Sequence, residues 1–174
     1  MGAKDQGADS QATQQRWQVV PRTLCFVTHG EDILLMKRGP HKRIFPGYYN
    51  GLGGHLERDE DPLTGAIREI KEESGLTVKN VQFCGSTHVD AGQDTGILLY
   101  IFKAEATTRE VIESDEGTLH WLSLAEVLSR DDLLLVEDLP IVLPMIFRDG
   151  AIPFFAFVSY DENDQILFRV APSI

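Results

Sequence analysis

Hydrophobic and polar positions along this chain change period several times, and each change marks an element. Thr23 to Thr28 and Ile33 to Met36 are apolar runs of strand length separated by Gly30-Glu31-Asp32, which predicts a hairpin. Val81 to Asp90 and Ile97 to Ala106 predict longer strands, and Leu119 to Leu122 a further one. Phe154 to Tyr160 and Gln165 to Val170 flank Asp161-Glu162-Asn163-Asp164 as a closing hairpin. Between them the period becomes 3.6: Leu63, Ala66, Ile67 and Ile70 fall at i, i+3, i+4 and i+7, the spacing of a core-facing stripe. Asp61 is a good N-cap, Pro62 fits the first helical position and Gly75 suits a left-handed C-terminal residue, so this helix runs from about Pro62 to Ser74. Ser123 caps a second helix through about Leu128. Leu139 to Phe147 is apolar enough to demand burial, yet Pro140 and Pro144 oppose a regular helix. Pro40 to Gly47 reads as a loop, Tyr48 to Gly54 leads into the first helix, and no internal repeat is present.

Beside the apolar stripe of that first helix lies an acidic one. Glu69, Glu72 and Glu73 fall within about a 100° arc. Two such charges 5 Å apart repel by about 3 kcal/mol at an effective dielectric near 20. An acidic helix face is ordinarily just solvated, but a divalent cation would reverse the sign of this repulsion. Carboxylates without His or Cys point to Mg²⁺ or Mn²⁺ rather than Zn²⁺. Gly65 sits on the acidic side, where it costs about 1 kcal/mol relative to Ala, and so predicts a close approach to that backbone.

The acids belong to a longer pattern: Gly54, Glu60, Arg68, Glu69, Ile70, Glu72, Glu73, Gly75 and Leu76. It resembles the signature of the Nudix hydrolases, with every fixed position present. The resemblance implies a Nudix-type α/β/α sandwich around a mixed β-sheet, of the α/β (α+β) class, and cleavage of nucleoside diphosphates linked to another group. It implies one to three divalent cations held by Glu69, Glu72 and Glu73, with the Gly53 carbonyl as a further ligand. Arg68 then orients the acids, and Gly54 and Glu60 support the site. As a plain i, i+4 partner of Glu72, Arg68 contributes a few tenths of a kcal/mol, and both roles are compatible.

Outside the signature, the run from Gly47 to Gly54 resembles the loop of MutT-type enzymes that remove oxidised purine nucleoside triphosphates, which implies that Asn50 reads the purine. Ser114 to Trp121 resembles the segment from which that group supplies one more metal-linked glutamate, here Glu116. Thr23 and Arg38 are assigned to substrate binding, together with Glu137 or Asp138 as the purine-facing acid, Asp138 being preferred. Tyr49 and His55 depart from the usual Trp and Lys of that group. The implied reaction is attack of water on a phosphorus of the triphosphate, such as that of 8-oxo-dGTP, giving monophosphate and pyrophosphate. Glu116 and Glu69 both qualify as general base, and Glu116 equally reads as an exposed turn acid. An ADP-ribose or nucleotide-sugar pyrophosphatase and a non-catalytic nucleotide-binding module are the alternatives. Gly51-Leu52-Gly53-Gly54 lacks the third glycine and the βα phrasing of a dinucleotide fold.

Composition narrows the partners. A chain of 174 residues, 43% hydrophobic and 25% charged, fits one domain, expected over residues 17–174 after a polar, aperiodic and disordered tail at 1–16. No apolar run is long enough to span a bilayer and no signal pattern opens the chain, so a cytoplasmic protein without membrane contact is expected. A net charge of −11 repels long polyanions, which argues for a free nucleotide and against a nucleic acid polymer. Basic residues gather once, at Lys37, Arg38, His41, Lys42 and Arg43: either an exposed hairpin end or a cationic lip for phosphates. Cys25 and Cys84 lie in apolar strands and are assigned to the core as reduced thiols. Monomer and homodimer are both compatible with the sequence.

Overall fold

The structure, a computed structural model, describes residues 16–112 and 114–171; the expected tail at 1–16 therefore falls almost wholly outside the described residues. Eight strands form one sheet: β1 (Gln18–His29), β2 (Asp32–Arg38), β3 (Tyr49–Asn50), β4 (Val78–Val89), β5 (Thr95–Ala106), β6 (Gly117–Ser123), β7 (Phe154–Tyr160) and β8 (Ile166–Val170). Their order is β3-β2-β1-β5-β4-β7-β8, with β6 paired to β2. The β1–β5 and β4–β7 pairs are parallel and the others antiparallel, so the sheet is mixed. Three helices complete the fold: α1 (Pro62–Ser74), α2 (Leu124–Ser129) and α3 (Leu139–Phe147).

Strand alternation creates two cores. Leu24, Phe26, Ile33 and Leu35 face one side, where Val127 of α2 and Leu139, Val142, Leu143 and Ile146 of α3 cover them. Cys25, Val27, Leu34 and Met36 face the other, where Ala66 and Ile70 of α1 cover them. A helix layer on each face of one sheet is the α/β/α sandwich expected. Both cysteines are free and buried, and burial pushes the Cys25 thiol up to about 12.

Helix α1 begins and ends where its letters indicate. Asp61 accepts from the Leu63 and Thr64 amides at 2.9 and 3.0 Å, and Gly75 takes φ +72° while its N–H closes on the Lys71 carbonyl. Its buried face differs from the expected stripe, however. Ala66 and Ile70 are buried together with Gly65, Glu73 and Ser74, whereas Leu63 and Ile67 are each 44% exposed. The helix is rolled toward its acidic edge, which sinks Glu73 against the sheet. Gly65 does meet a close neighbour, but the neighbours are the Leu56 side chain and Glu60 Oε1, which a Cβ would approach to 3.0 Å.

A second correction concerns Leu139–Phe147, which is helical despite its prolines. Pro140 occupies the first turn, where no intrahelical N–H bond is needed, and burial of Leu139, Val142, Leu143 and Ile146 outweighs the bond lost at Pro144. Ser123 caps α2 in a capping box with Glu126. Among the described residues no helix is long and apolar enough to cross a membrane.

Candidate active site

Strand β1 and the segment after β3 are zipped together. The Thr23 amide donates to the Gly54 carbonyl at 2.8 Å, and Cys25 and Leu52 exchange bonds of 2.6 and 3.0 Å. At Gly53, with φ +133°, a Cβ would overlap the Thr23 carbonyl, so only glycine fits this approach. The Gly53 N–H donates to Glu73 Oε2 at 2.8 Å. At Gly54 a Cβ would lie 2.5 Å from Glu69 Oε1. The glycine loop and the acidic edge of α1 are thus built against each other.

Arg68 organises the remaining acids. Its guanidinium bonds both oxygens of Glu60, at 3.0 and 2.6 Å, and donates to Glu69 Oε1 at 3.0 Å, Glu72 Oε2 at 2.9 Å and the His55 carbonyl at 3.0 Å. That is far more than an i, i+4 pair. From the far side comes Glu116, whose carbonyl accepts the Gly39 amide at 2.9 Å and whose carboxylate pairs with Lys42 at 2.6 Å. Glu69, Glu72, Glu73 and Glu116 line a single open cleft of about 600 Å³ with Gly53 and Gly54.

Burial raises the pKa of Glu73 to about 7, opposed by the Gly53 N–H and reinforced by the charges of Glu69 and Glu116. Burial likewise raises Glu69, against the pull of Arg68. Among the described residues no three His, Cys, Asp or Glu side chains already converge on one point; Glu69 and Glu72 turn to Arg68, and Glu116 to Lys42. The donor set nevertheless suits a hard divalent cation. Its ligands are oxygens, they share one cleft, and burial raises the pKa of two of them, a cost that a cation would offset.

A second, narrower pocket of about 180 Å³ adjoins the cleft, and Arg22, Arg38, Gly53, Gly54 and Glu73 line both. Thr23, Leu24, Asn50, Val136, Asp138 and Tyr160 wall it. The Asn50 carboxamide oxygen accepts the Gly51 amide at 2.9 Å, which leaves its NH₂ as the donor for a ligand. Asp138 stands at the start of α3 without a side-chain capping bond, and burial raises its pKa. The four residues assigned to substrate, Thr23, Arg38, Asn50 and Asp138, therefore meet in one pocket although they span 116 positions of sequence from 23 to 138. Of the basic cluster, Arg38 reaches this site, Lys42 is engaged by Glu116, and Lys37 lies over the Tyr49 ring at 5.7 Å.

Sequence reasoning missed Arg22, Val158, Tyr160 and Ile166, all lining the pocket. Arg22 carried only a weak signal, a single arginine just before the apolar run of β1. The other three carried none, because only the parallel β4–β7 pairing brings that hairpin to the pocket.

The sandwich, the glycine loop and the acid-bearing helix define a class, and comparison with known proteins gives it a name. Residues 19–141 match the NUDIX domain model. The chain belongs to the Nudix family. It is 33% identical over 147 residues to the oxidized purine nucleoside triphosphate hydrolase of Mus musculus, covering 83% of this chain and 89% of that one. It is 32% identical over 106 residues to the NAD-capped RNA hydrolase NudC of Pseudomonas aeruginosa, covering 60% of this chain; the match spans only 36% of that relative's length. Among solved structures, a mutator MutT protein of Bacillus halodurans superposes with a TM-score of 0.73 at 25% identity, covering 90% of this chain and all of that one. The Nudix family uses divalent cations, in keeping with the donor set above.

Proposed function

We propose that this protein hydrolyses a nucleoside triphosphate, with an oxidised purine as its preferred base, to the monophosphate and pyrophosphate. One observation carries the reading: a narrow pocket bearing Asn50 and Asp138 opens directly into the cleft of Glu69, Glu72, Glu73 and Glu116. A base seated in the pocket directs its phosphates over the acids. The relative from mouse, named for oxidised purine nucleoside triphosphates and matched over most of both chains, supports the same reading.

Glu69, Glu72, Glu73 and Glu116, with the Gly53 carbonyl, would hold the cation, Mg²⁺ or Mn²⁺. When bound, it supplies charge stabilisation to the phosphoryl oxygens and lowers the pKa of the attacking water. The chain's own part is positional. Arg68 fixes Glu69 and Glu72, the Gly53 N–H fixes Glu73, and Asn50 and Asp138 orient the purine. A water oxygen forms a bond to phosphorus as the phosphorus–bridging oxygen bond breaks. Glu116 or Glu69 takes the water proton, and pyrophosphate departs with the bridging oxygen.

A panel of nucleoside triphosphates including 8-oxo-dGTP, assayed with product identification, tests this. Pyrophosphate release from a triphosphate is expected. Two monophosphate products, from ADP-ribose or a dinucleotide, would move the assignment to the pyrophosphatase reading. Nucleotide binding without turnover in Mg²⁺ or Mn²⁺ would make the protein a binding module. Glu73→Gln is expected to lower turnover by orders of magnitude with the fold intact, and near-normal activity in excess Mg²⁺ would contradict the ligand assignment.

A further inference from the structure

Arg22 is the residue that the site geometry uses and the family signature leaves out. It projects from β1 at the position where that strand bridges to His55, and it lines both the narrow pocket and the acidic cleft. Its Nε is buried with no hydrogen-bond partner among the described residues. A buried donor without an acceptor is unfavourable, and an incoming acceptor relieves it.

The surroundings make that omission informative. The protein has 27 acidic residues against 16 basic ones, and Arg68, Arg109 and Arg130 all take carboxylate partners. Arg22 and Arg38 make no ion pair among the described residues; Arg38 instead donates its Nε to the Ile44 carbonyl at 2.9 Å. Burial and the neighbouring charge of Arg38 lower the Arg22 pKa, though a guanidinium stays charged at any physiological pH. Two guanidiniums that line the same pockets without ion pairs repel each other, and an anion between them removes the repulsion and satisfies the donor together.

We propose that Arg22 binds the phosphate next to the nucleoside, its buried Nε and one terminal nitrogen donating to non-bridging oxygens at the neck between the two pockets. The proposal rests on the nucleotide reading above. A planar fork matches a phosphate edge with two parallel bonds, which an ammonium cannot reproduce. Position decides which phosphate is held. The base pocket lies on one side of the neck and the metal-holding acids on the other, so the group between them is the first phosphate after the sugar.

The test is calorimetric titration in Mg²⁺ buffer of 8-oxo-dGMP and 8-oxo-2′-deoxyguanosine, and of AMP and adenosine, none of which turns over in the proposed reaction. The unaltered protein is expected to bind the monophosphate at least about tenfold tighter than the nucleoside. Arg22→Gln should bring the two within about twofold while nucleoside affinity holds, and Arg22→Lys should fall between. A ratio preserved in Arg22→Gln overturns the proposal, even if thermal unfolding shows a structural cost. Should that variant not fold, an Arg22→Lys protein with an unchanged ratio overturns it. If the unaltered protein binds neither oxidised-purine compound, the oxidised-purine reading fails on its own. The comparison then moves to AMP and adenosine, and an affinity ratio that Arg22→Gln leaves unchanged, or no binding of either, sinks the Arg22 assignment.

Discussion

Single atoms decide whether this site can form. Gly53 has its amide committed to Glu73 and its α-carbon against the Thr23 carbonyl, at a φ of +133° that side chains rarely adopt. Gly53→Ala is expected to cost about 2 kcal/mol or more of stability. It should also cost about a hundredfold in turnover, since a shift of about 1 Å in a positioned group has that effect. Chemical denaturation and steady-state kinetics on one preparation check both. Asp138 gives a pH signature instead. Its pKa is raised by burial, so the folded state holds this proton more tightly than the unfolded chain, whose carboxyl titrates near 3.8. The stability it contributes is complete below that value and is lost as pH rises through the folded pKa. Asp138→Asn should remove this decline, so that the variant gains on the parent as pH rises from about 4 toward neutrality; melting temperatures that run parallel across that range would contradict the raised pKa of this half-buried acid. The acids and glycines were legible because each is an odd choice for its place in sequence. Arg22 was overlooked because one arginine in a strand is commonplace until its partners are known.

At the level of elements, the capping residues bound α1 correctly, whereas hydrophobic periodicity misjudges its roll. The expected stripe counted Leu63 and Ile67 as core, and periodicity alone treats all apolar letters alike. The sheet instead meets Ala66 and Ile70, with Glu73 drawn inward by the Gly53 amide and with Gly65 under Leu56. A polar residue buried against the glycine loop accompanies a helix turned away from its most apolar face. Ile67→Gln should therefore change stability by less than about 0.5 kcal/mol, whereas Ile70→Ala should cost about 2–5 kcal/mol. Comparable losses in urea unfolding would restore the stripe the letters suggested. Helix α3 shows the opposite failure. Two prolines argued against a helix, but one falls in the first turn and the burial of four aliphatic side chains offsets the other. The letters start strands β4 and β5 late for a simpler reason: Val78-Lys79 and Thr95-Gly96 are paired by backbone bonds that no side-chain pattern reports.

For the whole molecule, the informative quantity is the net charge of −11, set against a site proposed to accept a nucleoside triphosphate. The two similar relatives are named for different substrates, one a free nucleotide and one a capped RNA. Arg22 and Arg38 are local enough to meet one phosphate group, and their field is short-ranged, since charges further apart than about 8 Å are largely screened at physiological salt. An RNA body trailing from the site would instead lie along a surface whose summed charge repels it. Free nucleotide should accordingly be hydrolysed faster than the same nucleotide carried as a cap on an RNA of a few tens of residues. The ratio should shrink between about 50 and 200 mM salt, because screening relieves repulsion. A protein that attracted RNA would show the reverse, its rate on capped RNA falling steeply with salt as counterion release is lost. Equal or faster cleavage of the capped RNA at low salt would contradict the free-nucleotide assignment. It would also locate a basic surface beyond the neck formed by the two arginines.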